Sequence, residues 1–191
     1  MYKRQKWAEA GTKNNTQFWM QISHAGRQTP GAINPNPLSP SSVQLKIPGA
    51  NYGIPTPMSV DDIEDVIQRF VFVAKIAKET GFTGIQLHSA HGYLLSQFLS
   101  PDINLRDDEW GGSIRNRSRL MLRIIEGCRA ELGNDFPIAV KLNSADFQKG
   151  GFSDLDSIKV AKLLDDAGVD VIEISGGTYE QPRLLGLDDV S

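Results

Sequence analysis

The chain has one cysteine, Cys128, in 191 residues. No internal disulfide can form, and no Cys/His cluster stands at metal-ligand spacing, so a stapled or zinc-built scaffold is excluded. A reducing, cytoplasmic compartment is the default expectation. Excess basic charge is also missing: 20 Lys+Arg stand against 23 Asp+Glu, a net charge of −3. Such a balance gives no basic stripe for nucleic acid. There is no long hydrophobic run either. The most apolar stretch, Phe70 to Ala77, is interrupted by Lys75 and is far too short to cross a bilayer. The basic start, Met1 to Trp7, leads into no apolar segment, which argues against a signal peptide. Apolar residues still make up 40% of the chain, enough for one domain with a sizeable core and against a wholly disordered one.

What is present is alternation of two periods. Residues 2–10 read as the end of a helix closed by Gly11, and Gln17 to Ser23 as a strand. Seven of the ten prolines fall between Thr29 and Pro57, where neither a helical nor a strand period is visible. A loop of that length acts as a lid or binding loop, or else is disordered. Ser59 then caps a helix with Asp61 and Asp62 in its first turn. Ile63, Val66, Ile67, Phe70, Val71 and Ala74 keep its 3.6-residue period, and Gly81 ends it. The remaining order is strand 83–88, helix 113–132, strand 137–142, a helix from Ser153 to Gly168, and strand 169–174. The rest, through Ser191, reads as loop. Helices alternating with strands predict parallel pairing with helical crossovers. A weak echo between residues 81–88 and 168–175 points to repeated βα units.

The strand ends share an apolar–polar rhythm: Met20-Gln21-Ile22-Ser23, Ile85-Gln86-Leu87-His88, Val140-Lys141-Leu142-Asn143 and Ile172-Glu173-Ile174-Ser175. Parallel strands covered on both faces are apolar on both. Here one face carries Gln21, Gln86, Lys141 and Glu173, with Ser23, His88, Asn143 and Ser175 expected as the next layer. The economical reading is a (β/α) barrel, polar inside near its C-terminal mouth, where such barrels place their sites. Buried polar groups need partners. A polar cofactor ring would supply them; alternatively the layer pairs with itself. A buried ammonium at Lys141 needs a specific counterpart in either case.

His88-Ser89-Ala90-His91-Gly92-Tyr93 follows a strand directly. Two histidines three residues apart converge if the chain turns into a helix there. Paired imidazoles can hold an oxygen that gains negative charge, and Tyr93 adds a proton donor. A zinc site would need a third ligand and the Glu of His-Glu-x-x-His, which this segment lacks, so no metal is assigned. The plainer alternative is two histidines satisfied within a turn.

These residues resemble the old yellow enzyme family of FMN-dependent oxidoreductases. The resemblance rests on Gln21-Ile22-Ser23-His24-Ala25-Gly26-Arg27-Gln28 and His88-Ser89-Ala90-His91-Gly92-Tyr93-Leu94. It extends through Phe98-Leu99-Ser100-Pro101, Asn104, Arg106, Asp108, Gly111-Gly112-Ser113, Asn116-Arg117 and Arg119. The nearest likeness is to the NADH:flavin oxidoreductase/NADH oxidase branch, which carries His-x-x-His. The resemblance implies a flavoprotein with an FMN-binding (β/α)8 TIM barrel. NAD(P)H reduces the flavin, which passes hydride to an α,β-unsaturated carbonyl compound (an enone). It implies that Gln21 bonds the flavin pyrimidine edge and that Lys141 lies by N1 and O2, where many relatives use arginine. His88 and His91 would hold the substrate oxygen, Tyr93 would donate a proton, and Ser23 would line the substrate cavity. The stretch from Asn104 to Arg119 would brace a loop and a helix. Trp110 stands where the family usually has tyrosine.

By the family's order, residues 1–191 form one incomplete barrel domain, roughly strands 3 to 6 with their helices and a Pro-rich loop at 29–57. Loops after strands 7–8 normally hold the phosphate in such barrels. The 191-residue chain alone is therefore expected to bind FMN poorly. Three functions follow: an FMN-dependent ene-reductase or NADH oxidase represented by its middle segment, an inactive fragment without cofactor, or a non-flavin (β/α) protein using the histidine pair.

Overall fold

The computed structural model describes residues 2–181. Helix α1 (Tyr2–Gly11) leads into β1 (Trp19–Ile22). Two short strands follow in the Pro-rich segment, β2 (Leu38–Ser39) and β3 (Thr56–Pro57). The order continues with α2 (Val60–Glu79), β4 (Gly84–Ser89), α3 (Leu94–Leu99), α4 (Ile114–Arg117) and α5 (Arg119–Leu132). It ends with β5 (Ile138–Asn143), α6 (Asp154–Asp166) and β6 (Val171–Ser175). Strands β1-β4-β5-β6 form one sheet, every pair parallel. This is the expected α/β alternation.

The apolar side of the rhythm makes the core. Ile85 and Leu87 of β4, and Ile138, Val140 and Leu142 of β5, are wholly buried with Ile63 and Ala74 of α2 and Ile124 and Ile125 of α5. Burying one such Leu or Ile side chain contributes roughly 1.5–3 kcal/mol. The α2 start carries a full capping box. Ser59 Oγ accepts from the Asp62 amide at 3.1 Å, and the Ser59 amide donates to Asp62 Oδ2 at 2.8 Å. Those bonds from Ser59 hold the Asp62 carboxyl below its ordinary range. At the other end Gly81 takes φ +93°, which a side chain adopts only with strain.

Three expectations need correction. The segment 29–57 has regular pairing after all: β2 pairs parallel with β3, and Pro30 bridges Tyr52. Two-residue strands cannot display a period, and prolines mask them. The segment is pinned from outside as well, since Arg106 Nη1 donates to the Pro40 carbonyl at 3.3 Å and Leu105 N to Ser41 Oγ at 3.0 Å. The expected helix 113–132 is interrupted at Ser118, whose hydroxyl donates to the Ile114 carbonyl at 2.7 Å. The preceding Arg117 turns inward instead of continuing the exposed face. It donates to the Leu99 carbonyl, to the Gly112 carbonyl at 3.0 Å and to Asp156 Oδ2 at 2.9 Å. Helix α3 went unread because all six of its residues are buried, so it has no polar stripe to set a period.

The register corrects the layer heights too. Gln21 pairs with Gln86, but Gln86 pairs with Ala139, while Lys141 stands opposite both His88 and Glu173. The two expected rows are therefore offset by two residues between β4 and β5. Parallel strands that curl toward a barrel must stagger. An even offset keeps every side chain on its face, so the polar face survives. In the stretch expected as C-terminal loop, residues 176–181 join no strand beyond a single bridge between His91 and Thr178. The rest of that stretch, 182–191, lies outside the described residues. No helix among the described residues is long and apolar enough to cross a membrane.

Candidate functional site

His88 is the fifth residue of β4, on the polar face, and only 7% of it is exposed. Its Nδ1 accepts from the Ala90 amide at 3.3 Å, which leaves Nε2 to carry the proton of the neutral ring. Burial, then the neighbouring His91 and Lys141, lower its pKa to about 4. His88 is thus a neutral donor at ordinary pH.

The chain does not turn into a helix after His88, as the spacing led one to expect. Instead His91 takes φ +58° and Gly92 φ +77°, a tight left-handed turn, and α3 begins only at Leu94. The backbone angle is what calls for glycine at Gly92; a Cβ there would also meet Gln28 Oε1, the movable end of a side chain, at 2.8 Å. The turn still brings the imidazoles together, edge to face, with centroids 5.4 Å apart. Its brace is Asn143. Asn143 Oδ1 accepts from the His91 amide at 3.2 Å, and Nδ2 donates to Asp146 Oδ1 and the Gly177 carbonyl, both at 3.0 Å. His91 Nε2 lies 2.6 Å from Ser175 Oγ, and burial lowers this imidazole's pKa as well.

Tyr93 completes the group, with its ring centroid 4.8 Å from that of His88. Its hydroxyl lies 2.8 Å from the Tyr179 hydroxyl. That bond first, then burial, push the Tyr93 pKa up to about 12. Sequence reasoning missed Tyr179. The signal was an aromatic just beyond the end of a strand, on the same rim as Tyr93.

Below the histidines the polar side chains satisfy one another in a row. Gln21 Nε2 donates to Gln86 Oε1 at 2.6 Å, and Gln86 Nε2 donates to Glu173 Oε2 at 2.7 Å. Lys141 Nζ meets Glu173 Oε1 at 2.9 Å. The self-paired layer is therefore realised, and Glu173 is the counterpart Lys141 required. Hydrogen bonds from Lys141 and Gln86 hold the Glu173 carboxyl below its usual range. Ser23 lies just past β1, exposed, and lines a narrow cleft against α2 with Ile22, His24, Val66 and Arg69. The structure thus gathers His88, His91, Tyr93 and Lys141, links Gln21 to them through Gln86 and Glu173, and sets Ser23 in a different cleft.

The donor set suits a flavin. Amide donors and acceptors at Gln21 match a pyrimidine edge, an ammonium at Lys141 matches its electron-rich side, and neutral imidazole donors stand above. Among the described residues, no three His, Cys, Asp or Glu side chains gather as a metal site would require. The bracing stretch reads as expected: Asn104 Nδ2 donates to the Phe98 and Trp110 carbonyls at 2.8 Å each. Trp110 itself is buried.

Known proteins are similar to this chain in sequence and in fold. The profile of the NADH:flavin oxidoreductase / NADH oxidase family matches residues 3–182. The NADH oxidase of Thermoanaerobacter brockii is 41% identical over 181 residues, covering 93% of this chain and 27% of that protein. A solved 2-naphthoyl-CoA reductase in complex with 2-naphthoyl-CoA is 32% identical with TM-score 0.89, over 94% of this chain and 29% of the other. An old yellow enzyme homologue from Zymomonas mobilis shares the fold at TM-score 0.81 and 24% identity, over 98% of this chain and 59% of its own. Across the curated relatives it matches, the chain spans between 25% and 48% of their length. The four-stranded parallel sheet corresponds to part of their (β/α)8 barrel. The chain belongs to the NADH:flavin oxidoreductase / NADH oxidase family, the old yellow enzyme group, and covers a part of its length.

Proposed function

We propose that this chain carries the substrate-facing part of an FMN-dependent oxidoreductase that takes electrons from NAD(P)H and reduces a small α,β-unsaturated carbonyl compound. The observation that carries the reading is the meeting of His88, His91 and Tyr93 on one rim of the polar face. Bound FMN would supply the hydride chemistry. Gln21 and Lys141 would hold it, exchanging the partners they find in Gln86 and Glu173.

The chain's own groups do the rest. His88 and His91 bind the carbonyl oxygen as neutral donors and stabilise the negative charge it gains, with each donor lowering the barrier by about 2.7–4 kcal/mol. Tyr93 keeps its proton at neutral pH and delivers it to the substrate carbon. Ser23, in its separate cleft against α2, takes no part in this reading. The partner is a small molecule, with no nucleic acid or membrane involved. The buried thiol of Cys128 fits a cytoplasmic setting.

The test is His88→Ala in a flavin-loaded version of the protein that includes the remaining barrel strands. Flavin content should hold while enone reduction falls roughly 100-fold or more. Loss of flavin with unchanged enone turnover would refute the assignment.

A further inference from the structure

Tyr93 does not stand alone at the rim. Tyr179 arrives from the turn after β6, a different part of the chain, and the two hydroxyls meet at 2.8 Å with ring centroids 5.9 Å apart. The meeting is built into the backbone. His91, two residues before Tyr93, forms a parallel bridge with Thr178, the residue before Tyr179. Asn143 ties both turns through the His91 amide and the Gly177 carbonyl. Tyr179 and Tyr93 are both partly buried, and Tyr93 packs against the buried His88 ring.

A phenol that gives up its proton becomes a phenolate and needs a proton back before the next turnover. His88 and His91 are neutral neighbours, and Tyr52, the other phenol facing Tyr93, makes no hydrogen bond with it among the described residues. Among the described residues, the one hydroxyl hydrogen-bonded to that of Tyr93 belongs to Tyr179.

We propose that Tyr179 is the positioning residue of Tyr93: it orients the Tyr93 hydroxyl and returns its proton from solvent. This rests on the reading of Tyr93 as proton donor. With hydride supplied to one alkene carbon by bound reduced flavin, the Tyr93 O–H bond would break. Its proton forms a C–H bond at the other alkene carbon, and the O–H electron pair stays on the phenolate. The Tyr179 O–H then breaks, its proton passes to the Tyr93 oxygen, and Tyr179 takes a proton from water, leaving hydroxide to the bulk. Tyr52 and His88 face Tyr93, and His91, Lys141 and Glu173 lie behind them, facing His88.

The first experiment needs no flavin. The chain is labelled at tyrosine Cζ and titrated by NMR, with the Tyr93 resonance assigned by Tyr93→Phe. In Tyr179→Phe the hydrogen bond is gone and the ring remains. Tyr93 should then titrate well below its value in the parent chain, toward the ordinary range near 10. An unchanged Tyr93 titration overturns the proposal. Circular dichroism establishes that the variant folds; if it does not, Tyr179→Met, which likewise has no hydroxyl to bond Tyr93, takes its place with the same reading.

The second experiment follows the substrate-protonation half-reaction of the flavin-loaded protein. Tyr179→Phe should slow it about tenfold, leave flavin reduction unchanged and move its pH profile. The Tyr93→Phe/Tyr179→Phe double variant should be no slower than Tyr93→Phe alone, because Tyr179 acts only through Tyr93. Additive losses overturn the inference. A Tyr93→Phe protein with full turnover would instead overturn the donor reading itself, so the two failures are distinguishable.

Discussion

Lys141 and Glu173 face each other across the β5–β6 register, and Lys141 Nζ lies 2.9 Å from Glu173 Oε1. The ammonium predicted to serve a cofactor is thus already held by a carboxylate from the neighbouring strand. Gln86 holds the other oxygen of the same carboxylate.

Removing the ammonium reveals that pairing. In Lys141→Met the Glu173 carboxyl should titrate higher than in the parent chain, with Gln86 still holding it down in part, as read by carboxyl-carbon NMR. A Glu173 titration that does not move would show that the ion pair is absent in solution.

Acid should weaken the fold through its histidines. His88 titrates near 4 in the native chain, and burial lowers His24 and His91 too. The unfolded chain takes up these protons near 6.5. Between about 6.5 and 4 the unfolded state binds more protons, so stability falls as pH falls. The urea midpoint should drop across that window, and His88→Asn should flatten the drop. A midpoint independent of pH from 7 to 4 would contradict the buried, neutral His88.

Arg117 binds three separate pieces of the molecule: the end of α3, the loop before α4 and the start of α6. It pairs with a largely buried Asp156, at 7% and 17% side-chain exposure. Arg117→Met leaves that carboxylate only Lys159 Nζ at 3.8 Å, takes the donor from the Leu99 and Gly112 carbonyls, and should cost about 3–5 kcal/mol in urea unfolding. A loss under 1 kcal/mol would mean that the pair is not formed.

Asn143 is the clamp on the histidine turn. Asn143→Ala leaves the His91 amide and the Asp146 carboxyl short of a partner and should cost about 1–3 kcal/mol. It should also shift the His91 ring resonances while leaving those of His24 in place. Unchanged His91 resonances would show that the turn holds itself.

Much of this was legible beforehand, and the misses have physical causes. The amphipathic helices α2 and α5 declared themselves by a stripe, but α3, buried all round, had none. The polar face was visible because Gln21, Gln86, Lys141 and Glu173 alternate with Ile and Leu. Its row heights were not, because strand stagger is a property of pairing, not of any single strand. His88, His91 and Tyr93 stood in one short motif and could be read together. Asn143 and Tyr179 reach the same rim from residues 55 and 86 positions beyond His88 and Tyr93, and only the fold joins them.

The central claim is that one polar face, rimmed by two imidazoles, is shaped to take a flavin. The direct measurement is amide and side-chain NMR of the chain during titration with FMN, at concentrations high enough for weak binding. The account predicts shifts concentrated at Gln21, Gln86, His88, His91 and Lys141, with α2 and α5 silent. Shifts scattered over the helices, or none at saturating FMN, would contradict it.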